Sequence, residues 1–368
     1  MKIICNRGAL LEALNVTGNA VAAKSPKPVL QCIKVGAEKD QLSLFSNDGE
    51  VAIRYTTSQV QVEKPGTALI PSEKFREIVR ETLDDTVSIE LSGEQAVIRG
   101  NDSQFKVYTQ PVGEFPPMTE PAGEPDFKVA GGHLKQLINQ TLFCAAREAS
   151  RYAFNGVLIS SKQGRIHLVA TDARRLAQAR GELLEAKKAS KDGCRAIVPS
   201  KTLTLLEKVI GNPDDPVSVF LEPNRITFQT LDATLTSNLL EGQFPPFEEV
   251  IPKDCDKKMT AAVADLSSAI RRGALLTSQE HKGLKMSFSR NGITLRSSSP
   301  GAGEAEVRFP CKFEGSDLEI TFNPDFLTEA LRVIAGDEVS MEMTAPNRPG
   351  LMKCGEAFQY VIMPVTPQ

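Results

Sequence analysis

The sequence predicts an α+β protein made of one domain repeated three times. Three observations carry this prediction. Segments that read as a helix followed by a strand recur at 71–91, 199–221 and 323–343. A second helix-like segment stands ahead of each, at 8–21, 131–146 and 264–278. Between them lie short alternating runs such as QLSLFSN, AVIRG, RIHLVAT and RITFQT, with the period of half-buried strands.

The three recurring segments are PSEKFREIVRETLDDTVSIEL, PSKTLTLLEKVIGNPDDPVSVFL and NPDFLTEALRVIAGDEVSMEM. Each opens with a capping-type residue beside Pro, as helices do. Apolar residues then follow at helical spacing: Phe75, Ile78 and Val79; Leu203, Leu206 and Ile210; Phe326, Leu327, Ala330 and Leu331. Gly, Asn or Asp breaks the helix, and a V-S-x-x-L/M strand begins at Val87, Val217 and Val339. The interval is far too long for a solenoid, so each copy is a domain.

Short strand-like entries, MKIIC, DFKVA and KKMTA, precede the first helix of each copy. The exits of the first two copies, 105–118 and 235–252, share G-x-F-P-P, a strand end running into a linker because Pro cannot continue a central strand. The third exit is FQYVIMPV. Its apolar run, Tyr360 to Val365, therefore reads as the closing strand of the third domain. The predicted domains are 1–122, 123–253 and 254–368.

Charge is nearly balanced, with 43 Lys/Arg against 46 Asp/Glu, so any nucleic-acid role needs charge sorted onto one face. The seven cysteines are scattered and odd in number, with no C-x-x-C pair, which argues against a disulfide framework and a structural zinc. No signal peptide is legible at the start, and no run approaches the ~18 apolar residues of a membrane span. A reduced cytosolic protein with no membrane association is expected.

Catalytic motifs are absent: no Walker loop, no G-x-S-x-G, and no metal-ligand spacing among His133, His167 and His281. The pairs Asp84–Asp85 and Asp214–Asp215 fall between helix and strand, where Asp favours turns. No cofactor or metal is expected. One stretch, HLVATDARRLAQAR at 167–180, reads either as a turn with a solvated charge cluster or as the polar rim of an apolar pocket. Two readings stay open on residues alone: a peptide-binding scaffold, and a hydrolase using Asp172 with Arg174 or Arg175.

RYAFNG (151–156), VATDARRLA (169–177), GQFPPFEEVIP (242–252), Phe322–Asn323 and terminal YVIMPV occur in an order that resembles the bacterial sliding-clamp family, the beta subunits of DNA polymerase III. The resemblance runs from Met1 to Val365. It implies a DNA-clamp fold of three similar domains, each with two helices and antiparallel sheets. Two chains would join head to tail in a ring around duplex DNA, with helices lining the hole and no catalysis. Implied partners are double-stranded DNA without sequence preference, a second copy, the DNA polymerase III alpha subunit, the clamp loader, and other polymerases and repair proteins with clamp-binding peptides.

The resemblance also implies site residues. The peptide pocket would comprise Phe154, Thr171, Ala173, Arg174, Arg175, Leu176, Pro245, Val250, Asn323, Phe326, Val361, Ile362, Met363, Pro364 and Val365. Lys24, Arg151 and Tyr152 would approach DNA closely. Lys74, Arg76, Arg80, Lys135, Lys201, Lys208, Arg271, Arg272 and Arg332 are candidate lining cations; the helix-like stretches 8–20, 72–83, 131–147, 199–210, 261–277 and 323–335 hold 10 Lys/Arg and 8 Asp/Glu. The dimer seam would join Lys74, Phe105 and Val107 to Leu275, Leu276, Glu304 and Glu306. The chain departs from the family pattern where Ala173–Arg174 replace Gly-His, and at Ala153, Glu249, His281 and the Pro367–Gln368 extension.

Overall fold

The fold is known from a computed structural model that describes residues 1–146, 153–187, 193–277 and 283–365. Arg151, Tyr152, His281, Pro367 and Gln368 lie outside the described residues. Among the described residues six α-helices match the helix-like segments, two of them starting one residue early: α1 (Arg7–Thr17), α2 (Ser72–Glu81), α3 (Gly131–Leu142), α4 (Ser200–Val209), α5 (Val263–Gly273) and α6 (Pro324–Val333). Asn6 caps α1 by accepting from the Ala9 amide, and Asn323 caps α6 by accepting from that of Asp325. In α2, Phe75 and Val79 are fully buried, which leaves Lys74, Arg76 and Arg80 on the solvent face.

The chain packs into two compact units, one of Met1–Gly132, Leu183–Ala189 and Lys201–Leu239, the other of His133–Glu182, Ser190–Ser200 and Leu240–Gln368. In the first, a five-stranded sheet runs Val60–Lys64, Lys2–Asn6, Thr86–Ser92, Gln95–Arg99, Gln104–Tyr108. Beside it, in the same unit, a nine-stranded sheet joins strands of the first two repeats. Its central pairing sets Ala233–Asn238 antiparallel to Val51–Thr57, with Leu235 opposite Ile53, both fully buried. Leu10, Leu14 and Phe75 pack with Ile3 and Ile89 in this unit's core.

The second unit repeats the plan. A four-stranded sheet runs Gly303–Phe309, Gly292–Ser299, Leu284–Ser289, Leu318–Phe322. A nine-stranded sheet places Cys194–Pro199, Gly156–Lys162, Arg165–Thr171 and Arg175–Glu182 beside Phe358–Ile362, Gly350–Cys354, Glu338–Met343, Lys257–Ala262 and Lys312–Glu314. Of the terminal apolar run only the first part is strand, within Phe358–Ile362, and Met363–Val365 run beyond it. One of this strand's two partners belongs to the second repeat: Arg175 faces Ile362, Leu176 faces Val361 and Ala177 faces Tyr360. The second repeat thus contributes one of its sheets to each neighbour.

Candidate peptide pocket and nucleic-acid-facing residues

Where Arg165–Thr171 turns back into Arg175–Glu182, the carboxylate of Asp172 organises the corner. Its Oδ1 accepts from the amides of Arg174 and Arg175 at 3.0 and 3.1 Å, and its Oδ2 from Arg175 Nε at 3.0 Å. Thr171 Oγ1 donates to the Arg175 carbonyl at 2.7 Å and accepts from the Ala173 amide. Ala173 sits in the left-handed region at φ 71°. That conformation suits Gly or Asn and strains a residue with a Cβ.

Arg175 then spans the site with a side chain only 9% exposed. Beyond Asp172 it donates to Glu329 of α6 and to the Phe143 carbonyl at 3.0 Å. Its guanidinium carbon lies 4.2 Å from the Phe326 ring centroid and 5.5 Å from that of Phe143. Burial alone would depress its pKa, but hydrogen bonding to Glu329 and the surrounding acidic groups hold it above the ordinary arginine value. Tyr360, fully buried, donates to the Phe326 carbonyl at 3.0 Å and packs on Phe143. Phe143, Glu329 and Tyr360 carry this arrangement; Tyr360 opens the terminal YVIMPV motif, whereas Phe143 and Glu329 were not singled out. The legible signal for Glu329 is its place three residues after Phe326, on the same side of α6.

The apolar floor comprises Leu176 and Val361, clustered with Leu158, Val169, Phe244, Phe247 and Leu351. The chain then leaves the sheet: the Met363 amide donates to the Arg174 carbonyl at 2.9 Å, and that of Val365 to the Thr321 carbonyl at 2.8 Å. Those bonds hold the segment down while Met363 remains 43% exposed and Val365 38% exposed. Pro364 and Phe154 are half-buried, and Val250 is exposed where a short 3-10 turn, Phe247–Glu249, follows Pro245. Asn323 is used as the α6 cap. Ile362 is wholly buried, so it supports the wall and offers no surface to a ligand.

A second aspartate-centred corner occurs in the other unit. Asp48 Oδ1 accepts from the amides of Glu50 and Val51, and its Oδ2 lies 2.6 Å from Lys201 Nζ. The carboxylates of Asp48 and Glu50, acting against burial, raise the Lys201 pKa. Lys201 is therefore tied to this corner. Of the other helix cations, Lys74 pairs with Glu77, Arg80 with Glu81, and Lys208 donates to Asn19. Arg76, Arg271, Arg272 and Arg332 are exposed on their helices, Lys135 is half-buried, and Lys24 is exposed in the loop after α1.

Four of the seven candidate seam residues lie on sheet edges, while Lys74 is on α2 and Leu275 and Leu276 follow α5. Phe105 and Val107 belong to Gln104–Tyr108, the last strand of the five-stranded sheet, with Phe105 40% exposed. Glu304 and Glu306 belong to Gly303–Phe309, the last strand of the four-stranded sheet. Leu275, just after α5, is highly exposed, whereas Leu276 is half-buried.

Asp172 and Arg175 are saturated by each other and by their neighbours, an arrangement that stiffens a corner and supplies no nucleophile or general base. Among the described residues no group of three metal-ligating side chains forms, and no helix is long and apolar enough to cross a membrane.

Family models of the DNA polymerase III beta subunit match the chain throughout: the N-terminal domain at 1–119, the central domain at 128–246 and the C-terminal domain at 248–366. A beta sliding clamp of Pseudomonas aeruginosa is 29% identical over 368 residues, covering 99% of this chain and 100% of the relative. The crystal structure of the DNA polymerase sliding clamp from Bacillus subtilis superposes with TM-score 0.95 at 25% identity, covering 100% of both chains. A P. aeruginosa sliding clamp crystallised with griselimycin gives TM-score 0.94 at 28% identity, covering 100% of this chain and 99% of that one. The chain therefore has the three-domain clamp fold and belongs to the DNA polymerase III beta subunit family, the non-catalytic sliding clamps of DNA replication.

Proposed function

We propose that this sliding clamp closes head to tail with a second copy around duplex DNA and holds a replicative polymerase through a peptide seated beside Met363. Domains 1–122, 123–253 and 254–368 form each half of the ring, consistent with the spans of the three family models. The polymerase alpha subunit, the clamp loader, and other polymerases and repair proteins share the pocket by presenting short apolar segments, in the cytoplasm. Exposed helix cations give weak, sequence-blind attraction to phosphates, which leaves the ring free to slide. Lys201 contributes least, because Asp48 holds it.

The single observation that carries the pocket is exposed Met363 and Val365 above a buried Leu176–Val361 floor, a few apolar anchors at a fixed rim. Met363 suits a gate, since an unbranched thioether repacks easily. Substituting Met363 and Pro364 by Ala should abolish polymerase binding in a pull-down yet leave the dimer intact by sedimentation. Loss of the dimer instead makes the segment structural. For the ring, the clamp loaded on nicked circular DNA should be released when the circle is linearised; retention points to an ordinary affinity binder.

The repeats support a specific seam. Leu235 opposite Ile53 and Tyr360 opposite Ala177 are corresponding pairs, each joining an exit strand to the fourth strand of another repeat. By ladder position Phe105 corresponds to Leu235, and Ala305 to Ile53. Both of their strands are edges. Continuing the pattern between copies sets Phe105 against Ala305 of the partner subunit, and Lys106 against Glu304 of the partner subunit. Opposite charges at that register favour the head-to-tail direction.

A further inference from the structure

On the face of the second unit's nine-stranded sheet that carries Leu176, the pocket floor continues into a row of cations. Side chains two residues apart share a face, so Leu176, Gln178 and Arg180 project together. Arg180 faces His167 across the ladder, His167 faces Ser160, and Ser160 faces Arg195. The next row on that face holds Lys162 opposite Arg165, with Glu182 beyond. Four cations thus stand with one carboxylate. Arg165, Arg180 and Arg195 have no ion pair among the described residues.

Two further observations show that the row is electrostatically unsatisfied. Arg180 donates from Nη2 to Gln178 at 3.1 Å, but its buried Nε has no hydrogen-bond partner among the described residues. Its guanidinium gains by swinging toward an acceptor. His167 is held below the ordinary imidazole range, first by burial and then by Arg180 and Arg165, so the neighbouring positive potential is felt on the sheet itself.

We infer that this row grips an acidic segment of the partner protein, directly flanking the apolar peptide in the pocket. This rests on the pocket reading above for the anchor half of the peptide. Continuity favours one partner chain over a separate ligand: Leu176 to Arg180 is four strand residues, about 13 Å, the reach of an extended flank of about four residues. Exposed ion pairs act weakly one by one and together favour a flank carrying two or three carboxylates.

The test compares synthetic peptides by fluorescence anisotropy on the full chain at low salt. One carries Leu/Phe anchors with a neutral flank, one the same anchors with Asp/Glu on either side, and one is an acidic hexapeptide without anchors. The acidic flank should tighten anchored binding roughly tenfold. Arg180→Gln with Arg195→Gln should remove that advantage and leave the neutral-flanked peptide unchanged. Equal affinity of the two anchored peptides for wild type overturns the inference, as does a single-stranded oligonucleotide that binds the row while the acidic flank gives nothing. If no anchored peptide binds, but the hexapeptide does so through Arg180 and Arg195, the pocket reading fails and the acidic-segment site stands. If the hexapeptide also fails then, the inference falls.

Discussion

Arg175 lies over the face of Phe326, 4.2 Å from the ring centroid, with its charge shared between Asp172 and Glu329. One side chain therefore ties a turn of the second repeat to α6 of the third. Arg175→Ala should destabilise the chain by about 2–4 kcal/mol, because Asp172 loses its cation and Phe326 its stacking partner. Arg175→Lys should recover part of this, keeping the charge but losing the planar fork. Urea denaturation of both variants checks the order wild type, Lys, Ala.

Ala173 offers the opposite sign. At φ 71° its Cβ is strained, and Ala173→Gly removes that strain at some cost in unfolded-state entropy. The expected net gain is about 0.5–1 kcal/mol. Denaturation midpoints read it, and peptide affinity should stay within twofold if the turn already holds its bound shape. A lower midpoint would show the Cβ to be packed rather than strained.

The seam register makes a charge-swap experiment specific. Lys106→Glu alone should weaken the dimer by placing two acids opposite each other, and Glu304→Lys alone should do so by opposing two lysines. The double variant should restore the dimer. Sedimentation at several concentrations distinguishes this from a general loss of fold. No restoration would put the register elsewhere.

Alkaline pH should loosen the fold through its buried thiols. Burial pushes Cys5 up to about 12, and Cys32 and Cys311 to about 11, from an ordinary 9.0. Their folded values lie above the unfolded one, so their contribution is whole below pH 9 and is lost as pH rises through about 11–12. Urea midpoints under reducing conditions should fall progressively above pH 9. Cys5→Ala should flatten that slope while lowering the midpoint at neutral pH.

Much of this was legible in the sequence, because helices and strands announce themselves locally. Phe75 and Val79 at helical spacing, and alternation in RIHLVAT, required no knowledge of distant residues. Partner choice was not legible. Phe358–Ile362 read as a strand of its own domain, yet period-two alternation fixes only which face is buried, not which edge is joined. Lys201 illustrates the same limit for charge. It sits on an exposed helix face like the other cations, but Asp48, distant in sequence, claims it. The pocket motifs located the corner and the last strand with Tyr360, while Phe143 and Glu329 came into view only once α6 and the last strand were packed against it.

The second repeat has no sheet that is wholly its own. Excised, it would bare two long edges, Ala233–Asn238 and Arg175–Glu182, whose buried faces invite pairing with any other strand. The repeat legible in the sequence and the compact packing unit are thus out of phase by half a repeat. Shuffling whole repeats between relatives should fail at the joins, because Ala233–Asn238 and Arg175–Glu182 each pair with a strand of a neighbouring repeat.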